Sequence, residues 1–462
     1  MKQQLTDFKN IYFVGAGGIG MAALERYFLA NGKAVAGYDR TPTELTSELI
    51  AEGINISFVD DVDTIDDKFK DVENTLVVIT PAVPADNKIL TFFRQGGFTM
   101  FKRAQVLGMI TRSSRAICFA GTHGKTTTSS MAALILDTAS VGCNAFLGGE
   151  LKNIGSNLIL SETSPFSVIE ADEYDRSFHH LSPYIAVITA TDPDHLDIYG
   201  TEEAYLESFA HFTELIAEDG ALIIHTGLKL VPRVRQGVKT YTYSRDEGDF
   251  HATNIKRGDG TIIFDFVTPD GVIENIELGV PVEINIENAV AAMAASWLTG
   301  DADPDSVRRA MAAFSGAKRR FDFHLKESLP GGHVIIDDYA HHPDELRASI
   351  ASVKALYPGH RLTVAFQPHL YSRTRDFAPE FADALSAADE IILLDIYPAR
   401  ELPIPGISSK TIFDLINNDN KVMISKQLLP ETIKNRNFEI LLTVGAGDIN
   451  TFIPDILNDL NK

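Results

Sequence analysis

Residues 115–139 read RAICFAGTHGKTTTSSMAALILDTA. The apolar run up to Ala120 has the length of a buried strand, and SSMAALILDTA reads as a helix. Between them stands Gly121-Thr122-His123-Gly124-Lys125-Thr126-Thr127-Thr128. A phosphate loop needs backbone N–H groups converging on an anion, a lysine reaching the β/γ-phosphates, and a hydroxyl for Mg²⁺. All three are present, with Thr126 placed for the metal. Phe119 stands where the longer GxxxxGK[ST] pattern has glycine, so this is the shorter GxxGKT form. The order strand, glycine turn, lysine, helix predicts an α/β protein that binds a nucleoside triphosphate.

The rest of the chain fits that class. At roughly 150 residues per domain, 462 residues suggest about three domains. A content of 45% hydrophobic and 23% charged residues excludes disordered, collagenous and coiled-coil proteins. No apolar run approaches the ~18–20 residues of a membrane span. The opening MKQQLTDFKN lacks the apolar stretch of a signal peptide, so a cytoplasmic protein is the expectation. A net charge of −22 repels polyanions, which argues against nucleic acid and anionic membrane as partners. Any anionic ligand must be held by local cations and backbone amides. The two cysteines, Cys118 and Cys143, form no CxxC pair, so neither a disulfide framework nor a cysteine metal site is expected.

Strands alternate with helices along most of the length, the pattern of parallel-sheet α/β domains. Three units are expected: 1–112, 113–317 and 318–462. The first opens on Gly15-Ala16-Gly17-Gly18-Ile19-Gly20 directly after a strand, with Asp39 at the end of the next. Such glycines let backbone approach a diphosphate, and the acid can take a ribose hydroxyl. In the second unit FSVIEADEYD delivers Glu170 beside the phosphate loop as a magnesium ligand, with Asp172 and Glu173 either sharing that role or solvated. Asp192, Asp194, His195 and Asp197 cluster after another strand, making His195 a metal or phosphate ligand. In the third unit, Asp337-Asp338-Tyr339-Ala340-His341-His342 has no further cysteine or histidine at zinc spacing. In Gln367-Pro368-His369-Leu370-Tyr371-Ser372-Arg373-Thr374-Arg375, two arginines could fork onto a carboxylate or phosphate.

GTHGKTTT, EADE, DHLDIYG, IENAVAAM and DDYAHHPDE occur in the order shown by the Mur ligase family, which the chain resembles over nearly its whole length. The resemblance implies three domains: an N-terminal Rossmann-like UDP-binding domain, a central phosphate-loop ATPase with a mostly parallel sheet, and a C-terminal Rossmann-like domain closing over the site. It implies that Gly15, Gly17, Gly18 and Gly20 cradle a UDP diphosphate, with Asp39 alongside. Gly121 to Thr127 would hold ATP, Lys125 its phosphates, and Thr126 and Glu170 one Mg²⁺. His195 would serve a second Mg²⁺. Asn288 would contact adenine, with Asn285 close enough to compete for that role, and Arg320 would touch phosphate. Asp338, Tyr339, His341, His369 and Arg373 would surround ATP and an incoming amino acid.

Within the family, GAGGIGM, GTHGKTTT, DDYAHHP and QPHLYSRTRD resemble members that join L-alanine to the lactyl carboxylate of UDP-N-acetylmuramate, in peptidoglycan precursor synthesis. The reaction implied passes through an acyl phosphate made from ATP, with His341 as a candidate base for the amine. The catalytic set is Lys125, His195, His341 and Arg373, in a monomer or weak homodimer. Three other readings remain. A dinucleotide-dependent oxidoreductase leaves the phosphate loop unexplained. A phosphate-loop ATPase switch predicts hydrolysis without any sugar nucleotide. A sister ligase adding a preformed tripeptide shares GTHGKTTT and AHHP.

Overall fold

Four sheets organise the described residues, three of them built mainly from parallel strands. The computed structural model describes residues 4–258, 260–316, 318–399 and 401–460, with the side chains of Leu196 and Asp197 outside that description. The first sheet has five parallel strands in the order Asn55–Ser57, Ala34–Tyr38, Asn10–Val14, Thr75–Ile79, Thr99–Lys102. Strand order reverses beside Asn10–Val14, which is the switch point where doubly wound sheets bind ligands. The glycine turn begins at the residue after that strand.

The second sheet has seven strands, ordered Lys239–Tyr243, Ala221–His225, Pro183–Ile188, Arg115–Ala120, Phe166–Ala171, Asn144–Leu151, Ser156–Ile159. All pairs are parallel except the last. Ala116–Ala120 are wholly buried, which explains the unbroken apolar run there. Cys118 lies in that core, as its surroundings in the sequence suggested. A three-stranded sheet follows, His251–Gly258, Thr261–Thr268 and Gly271–Glu277. The last sheet has the order Asp322–Lys326, Val334–Asp338, Ile440–Val444, Leu362–Phe366, Glu390–Leu394, Lys421–Ile424, with only the first strand antiparallel.

Two compact units result: residues up to Ile255 with Phe264–Ile276 and Ile286–Phe314, and Lys256–Ile263 with Glu277–Asn285 and the chain from Ser315. Within the first, one apolar core runs through residues of both large sheets, including Phe13, Leu24, Ile110, Phe146 and Phe209. Arg26 donates to Asn157 at 2.9 Å, and Asn157 donates to the Ile19 carbonyl at 2.6 Å, tying the helix Ile19–Ala30 to the strand Ser156–Ile159.

That helix also buries Glu25 completely, with no partner on either carboxylate oxygen. Burial pushes the carboxyl well above its usual range; Arg26 opposes the shift, and Asp39 and Glu52 add to it. A raised folded pKa means the folded state holds a proton that the unfolded state releases. Stability is therefore full below about pH 4.3 and declines as pH rises through the folded value. Glu25→Gln is expected to remove that decline and raise stability at pH 7–8. Urea titrations of both proteins from pH 5 to 8 check it; parallel curves would count against a buried, protonated Glu25.

Candidate active site

The phosphate loop leaves the buried strand Arg115–Ala120 through two glycines at positive φ, Gly121 at 146° and Gly124 at 81°. A Cβ on Gly121 would lie 2.1 Å from Thr189 Oγ1 and 2.7 Å from the Ala190 nitrogen, so no other residue fits. Thr122 Oγ1 donates to the Asp192 carbonyl at 2.8 Å and lies 2.9 Å from Tyr205 Oη. Thr189 Oγ1 donates to the His123 carbonyl at 2.5 Å, which leaves the His123 ring exposed. Lys125 opens the helix Lys125–Thr138, and Thr126 and Thr127 occupy its first turn, half-buried. A helix N-terminus with a lysine and free hydroxyls is an anion site.

Two acids flank this loop differently. The strand Phe166–Ala171 pairs with Arg115–Ala120 so that Glu170 lies opposite Phe119. The Glu170 carboxylate accepts from the Gly148 N–H at 3.1 Å, and a Cβ on Gly148 would collide with it at 2.2 Å. Glu173, which the sequence reading left between two roles, is 2% exposed and holds Lys125. Lys125 Nζ donates to Glu173 Oε1 at 2.9 Å and to the Gly121 carbonyl at 2.6 Å, and Glu173 Oε2 lies 2.8 Å from the ammonium. His195, at φ 52°, brings Nε2 within 3.9 Å of Glu173 and 3.7 Å of Asp194. Asp192 and Asp194 are exposed, and the side chain of Asp197 lies outside the described residues. Asn288 presses on the loop: Thr128 Oγ1 donates to its Oδ1 at 3.3 Å, and a Cβ on Gly124 would come within 2.8 Å of that oxygen. Asn285 instead donates to the Val280 carbonyl at 3.1 Å, which separates the two asparagines.

The glycine turn of the first sheet opens at Gly15, φ 98°, and Gly18 caps the helix that follows. Asp39 accepts from the Gly17 N–H at 2.7 Å and from the Thr41 N–H at 3.1 Å. Expected at a ribose, it is engaged in shaping the turn, and the Gly17 N–H is already occupied. The cation near the turn is one that sequence reasoning missed. Arg103 packs so closely that a Cβ on Gly20 would meet its Nη1 at 2.8 Å, and it donates to Asp172 at 3.3 Å. Arg103 opens a helix 83 residues beyond Gly20, a pairing without any local signal in the sequence. A cavity of about 290 Å³ is lined by Gly18, Gly20, Thr80, Arg103, Gly148 and Glu170 among others. The glycine turn and the acid beside the phosphate loop therefore face one space.

In the second unit the strand Val334–Asp338 ends on a buried acid pair. Arg319 donates to Asp337 at 3.2 Å and to the Gly447 carbonyl at 2.8 Å, and also to the Gly445 carbonyl. Asp338, expected to touch ATP, is the last residue of that strand. The residue is 9% exposed, its carboxylate accepts from the Phe321 N–H at 3.2 Å and from the Ser349 hydroxyl, and burial raises its pKa. The guanidiniums of Arg319 and Arg320 lie 5.0 and 5.4 Å from the Tyr339 ring centroid. Arg320 is exposed, as a phosphate contact requires.

His341 Nδ1 sits 3.0 Å from the Tyr339 carbonyl, and its ring lies 6.0 Å from that of His369. Burial lowers the His341 pKa, against the pull of Glu345. Burial also brings His369 down to about 4, helped by the charge of Arg373 and by that of His341 when it is protonated. Both rings are neutral at pH 7. His369 Nδ1 and Arg373 Nη1 are buried without a hydrogen-bond partner. Buried polar groups without partners cost about 1–3 kcal/mol, so such a pair marks a place that a ligand completes. The two-arginine fork is corrected: Arg375 is exposed and bonds Asp376 at 2.7 Å, leaving Arg373 alone facing inward. Leu370, between the two orphaned groups, is held at φ 71°. Such a conformation costs roughly 1–3 kcal/mol in a non-glycine residue and persists only where neighbours impose it.

Family models cover most of the chain and show its class: it is a member of the Mur ligase family. Residues 10–115 match the Mur ligase family catalytic domain, 119–296 the Mur ligase middle domain, and 319–446 the Mur ligase glutamate ligase domain. Among its relatives, the UDP-N-acetylmuramate–L-alanine ligase of Phocaeicola vulgatus is 57% identical over 99% of both chains. That of Parabacteroides distasonis is 58% identical over 98% of this chain and 97% of its own. The crystal structure of UDP-N-acetylmuramate–alanine ligase from Thermotoga maritima superposes with a TM-score of 0.81, at 27% identity, over 98% of this chain and 99% of that one.

Proposed function

We propose that the chain joins L-alanine to the lactyl carboxyl of UDP-N-acetylmuramate with ATP, a step of peptidoglycan precursor synthesis in the cytoplasm. The observation that carries this is the single cavity shared by the glycine turn, Arg103 and Glu170. A sugar nucleotide whose diphosphate lies on Gly18, Gly20 and Arg103 directs its acid towards the phosphate loop. The names of the full-length relatives agree with that chemistry. On this reading residues 1–112 hold the UDP-sugar, 113–317 bind ATP, and 318–462 supply the amino-acid site.

The donors near the loop suit a hard cation. Among the described residues no cluster of three or more His, Cys, Asp or Glu forms a closed metal cage. Mg²⁺ asks for one or two carboxylates and completes its shell with phosphate and water. Glu170 and the Thr126 hydroxyl would hold one such ion, and His195 a second. When bound, Mg²⁺ neutralises phosphate charge that would otherwise repel the sugar's carboxylate.

Lys125, leaving Glu173, pairs with the γ-phosphate. The lactyl carboxylate oxygen attacks γ-phosphorus as the bond to ADP breaks, giving an acyl phosphate. The alanine amine, with its carboxylate on Arg373, then attacks the acyl carbon; the bond to phosphate breaks and inorganic phosphate leaves. His341, neutral at pH 7, accepts the amine's proton. Asn288 contacts adenine, and Arg320 a phosphate.

Purified protein with UDP-N-acetylmuramate, ATP, Mg²⁺ and L-alanine is expected to yield a sugar nucleotide heavier by one alanyl residue, with one ADP per product. No adduct with alanine, but one with the tripeptide, would replace this reading by that of the sister ligase.

A further inference from the structure

Two loops at the carboxyl ends of neighbouring strands are laced together in the second unit. The strands Leu362–Phe366 and Glu390–Leu394 pair in parallel, with Phe366 opposite Leu393. After the first comes the segment carrying His369, Leu370, Ser372 and Arg373; after the second come Tyr397 and Glu401. Leu370 N–H donates to the Tyr397 carbonyl at 3.0 Å, and Tyr397 N–H donates back to the Pro368 carbonyl at 2.8 Å. The His369 and Tyr397 rings stack, 5.9 Å apart and 13° from parallel. Glu401 takes both donors of Ser372: the N–H on Oε2 at 3.0 Å and the hydroxyl on Oε1. These bonds from Ser372 hold Glu401 below the usual carboxylate range, so it is charged at neutral pH and a strong acceptor.

The residues so held are the ones whose geometry matters. His369 and Arg373 have buried, unpartnered nitrogens, and Leu370 between them keeps an uncommon positive φ. Leu370 is tied at its own N–H to the Tyr397 carbonyl, and two residues on Ser372 is tied to Glu401. We propose that Glu401 is a positioning residue for the amino-acid site, clamping Ser372 so that His369 and Arg373 converge on the carboxylate of the incoming amino acid. This rests on the reading of Arg373 as the alanine anchor. The Glu401 carboxylate is taken up by the Ser372 N–H and hydroxyl and by the Tyr371 N–H, so it acts through the segment and not on a reactant.

The role separates from general stability because acyl-phosphate formation needs no alanine. Glu401→Ala is expected to raise KM for L-alanine about tenfold, the equivalent of one lost charge-assisted hydrogen bond. KM for ATP and for the sugar nucleotide should stay within about twofold, as should the hydroxamate formed when hydroxylamine traps the acyl phosphate without alanine. Glu401→Gln and Ser372→Ala each remove part of the clamp and should fall between; they carry the test if Glu401→Ala does not fold. An unchanged KM for alanine in all three variants overturns the proposal. So does a parallel fall in hydroxamate yield and melting temperature, which marks a merely structural contact. Arg373→Ala in the same assays tells two failures apart. If it raises KM for alanine while the clamp variants do not, only the clamp is wrong; if it too is silent, the alanine site lies elsewhere.

Discussion

Lys125→Ala is expected to end turnover, lowering kcat/KM by a factor on the order of 10³, about 4 kcal/mol of lost transition-state stabilisation. The chain carries a net charge of −22, and the proposed reaction brings a carboxylate onto a triphosphate. A local cation placed on the γ-phosphate offsets part of that repulsion. Lys125 is on the first residue of a helix, where backbone N–H groups already favour an anion. Its present partner is the 2%-exposed Glu173, so truncation does a second thing: it strands a buried carboxylate. Removing one member of a buried pair costs roughly 3–5 kcal/mol, so melting temperature falls as well. The two effects part in the double variant. Adding Glu173→Gln should restore the melting temperature of Lys125→Ala while leaving ADP release abolished. Near-normal ADP release from Lys125→Ala, measured by coupled assay, would remove the phosphate-loop reading altogether.

How far the sequence spoke depended on how local each signal was. The phosphate loop was legible because its parts are consecutive: the buried strand, Gly121, Gly124 and Lys125 all act within a dozen residues. Likewise, each of the strands ending near Asp338, Phe366, Leu394 and Val444 is a single apolar run. The short strand Lys421–Ile424 and the antiparallel strand Asp322–Lys326 were not read, because edge strands are half-exposed and carry no such run. Site residues followed the same rule. Glu170 lies opposite Phe119 through strand pairing, which its place at the end of VIE announced. Arg103, 83 residues from Gly20, announced nothing, since only the tertiary fold brings its guanidinium to the turn. Asp338 and Asp337 look alike in DDYAHH, yet both turn inward, satisfied by Ser349 and by Arg319. Direction of a side chain at a strand's end is set by the neighbouring loops, and sequence spacing alone does not fix it.

Arg373→Ala tests the other half of the reaction. The guanidinium is half-buried, and its Nη1 has no hydrogen-bond partner in the fold. A buried cationic donor left open is costly to the free protein, and an amino-acid carboxylate is the anion that matches it in charge and shape. His369 stands beside it, with a pKa lowered to about 4, so it is neutral and adds a hydrogen bond rather than a second charge. The neutral His341 nearby adds no charge of its own, and Arg320, the other cation it feels, is the one assigned to phosphate. One arginine then supplies most of the attraction, and its loss should raise KM for L-alanine by about 10–100-fold, roughly 1.4–2.7 kcal/mol. ADP and acyl phosphate should still form when alanine is left out, because that step uses Lys125 and the nucleotide contacts but not the alanine anchor. Melting temperature should hold or rise, since truncation relieves an unsatisfied group, the trade of stability against function expected at a binding site. Phosphate release against alanine concentration gives the KM, and a thermal melt gives the stability. A drop in melting temperature with KM unmoved would mean that Arg373 braces the fold and that the carboxylate is held by another group.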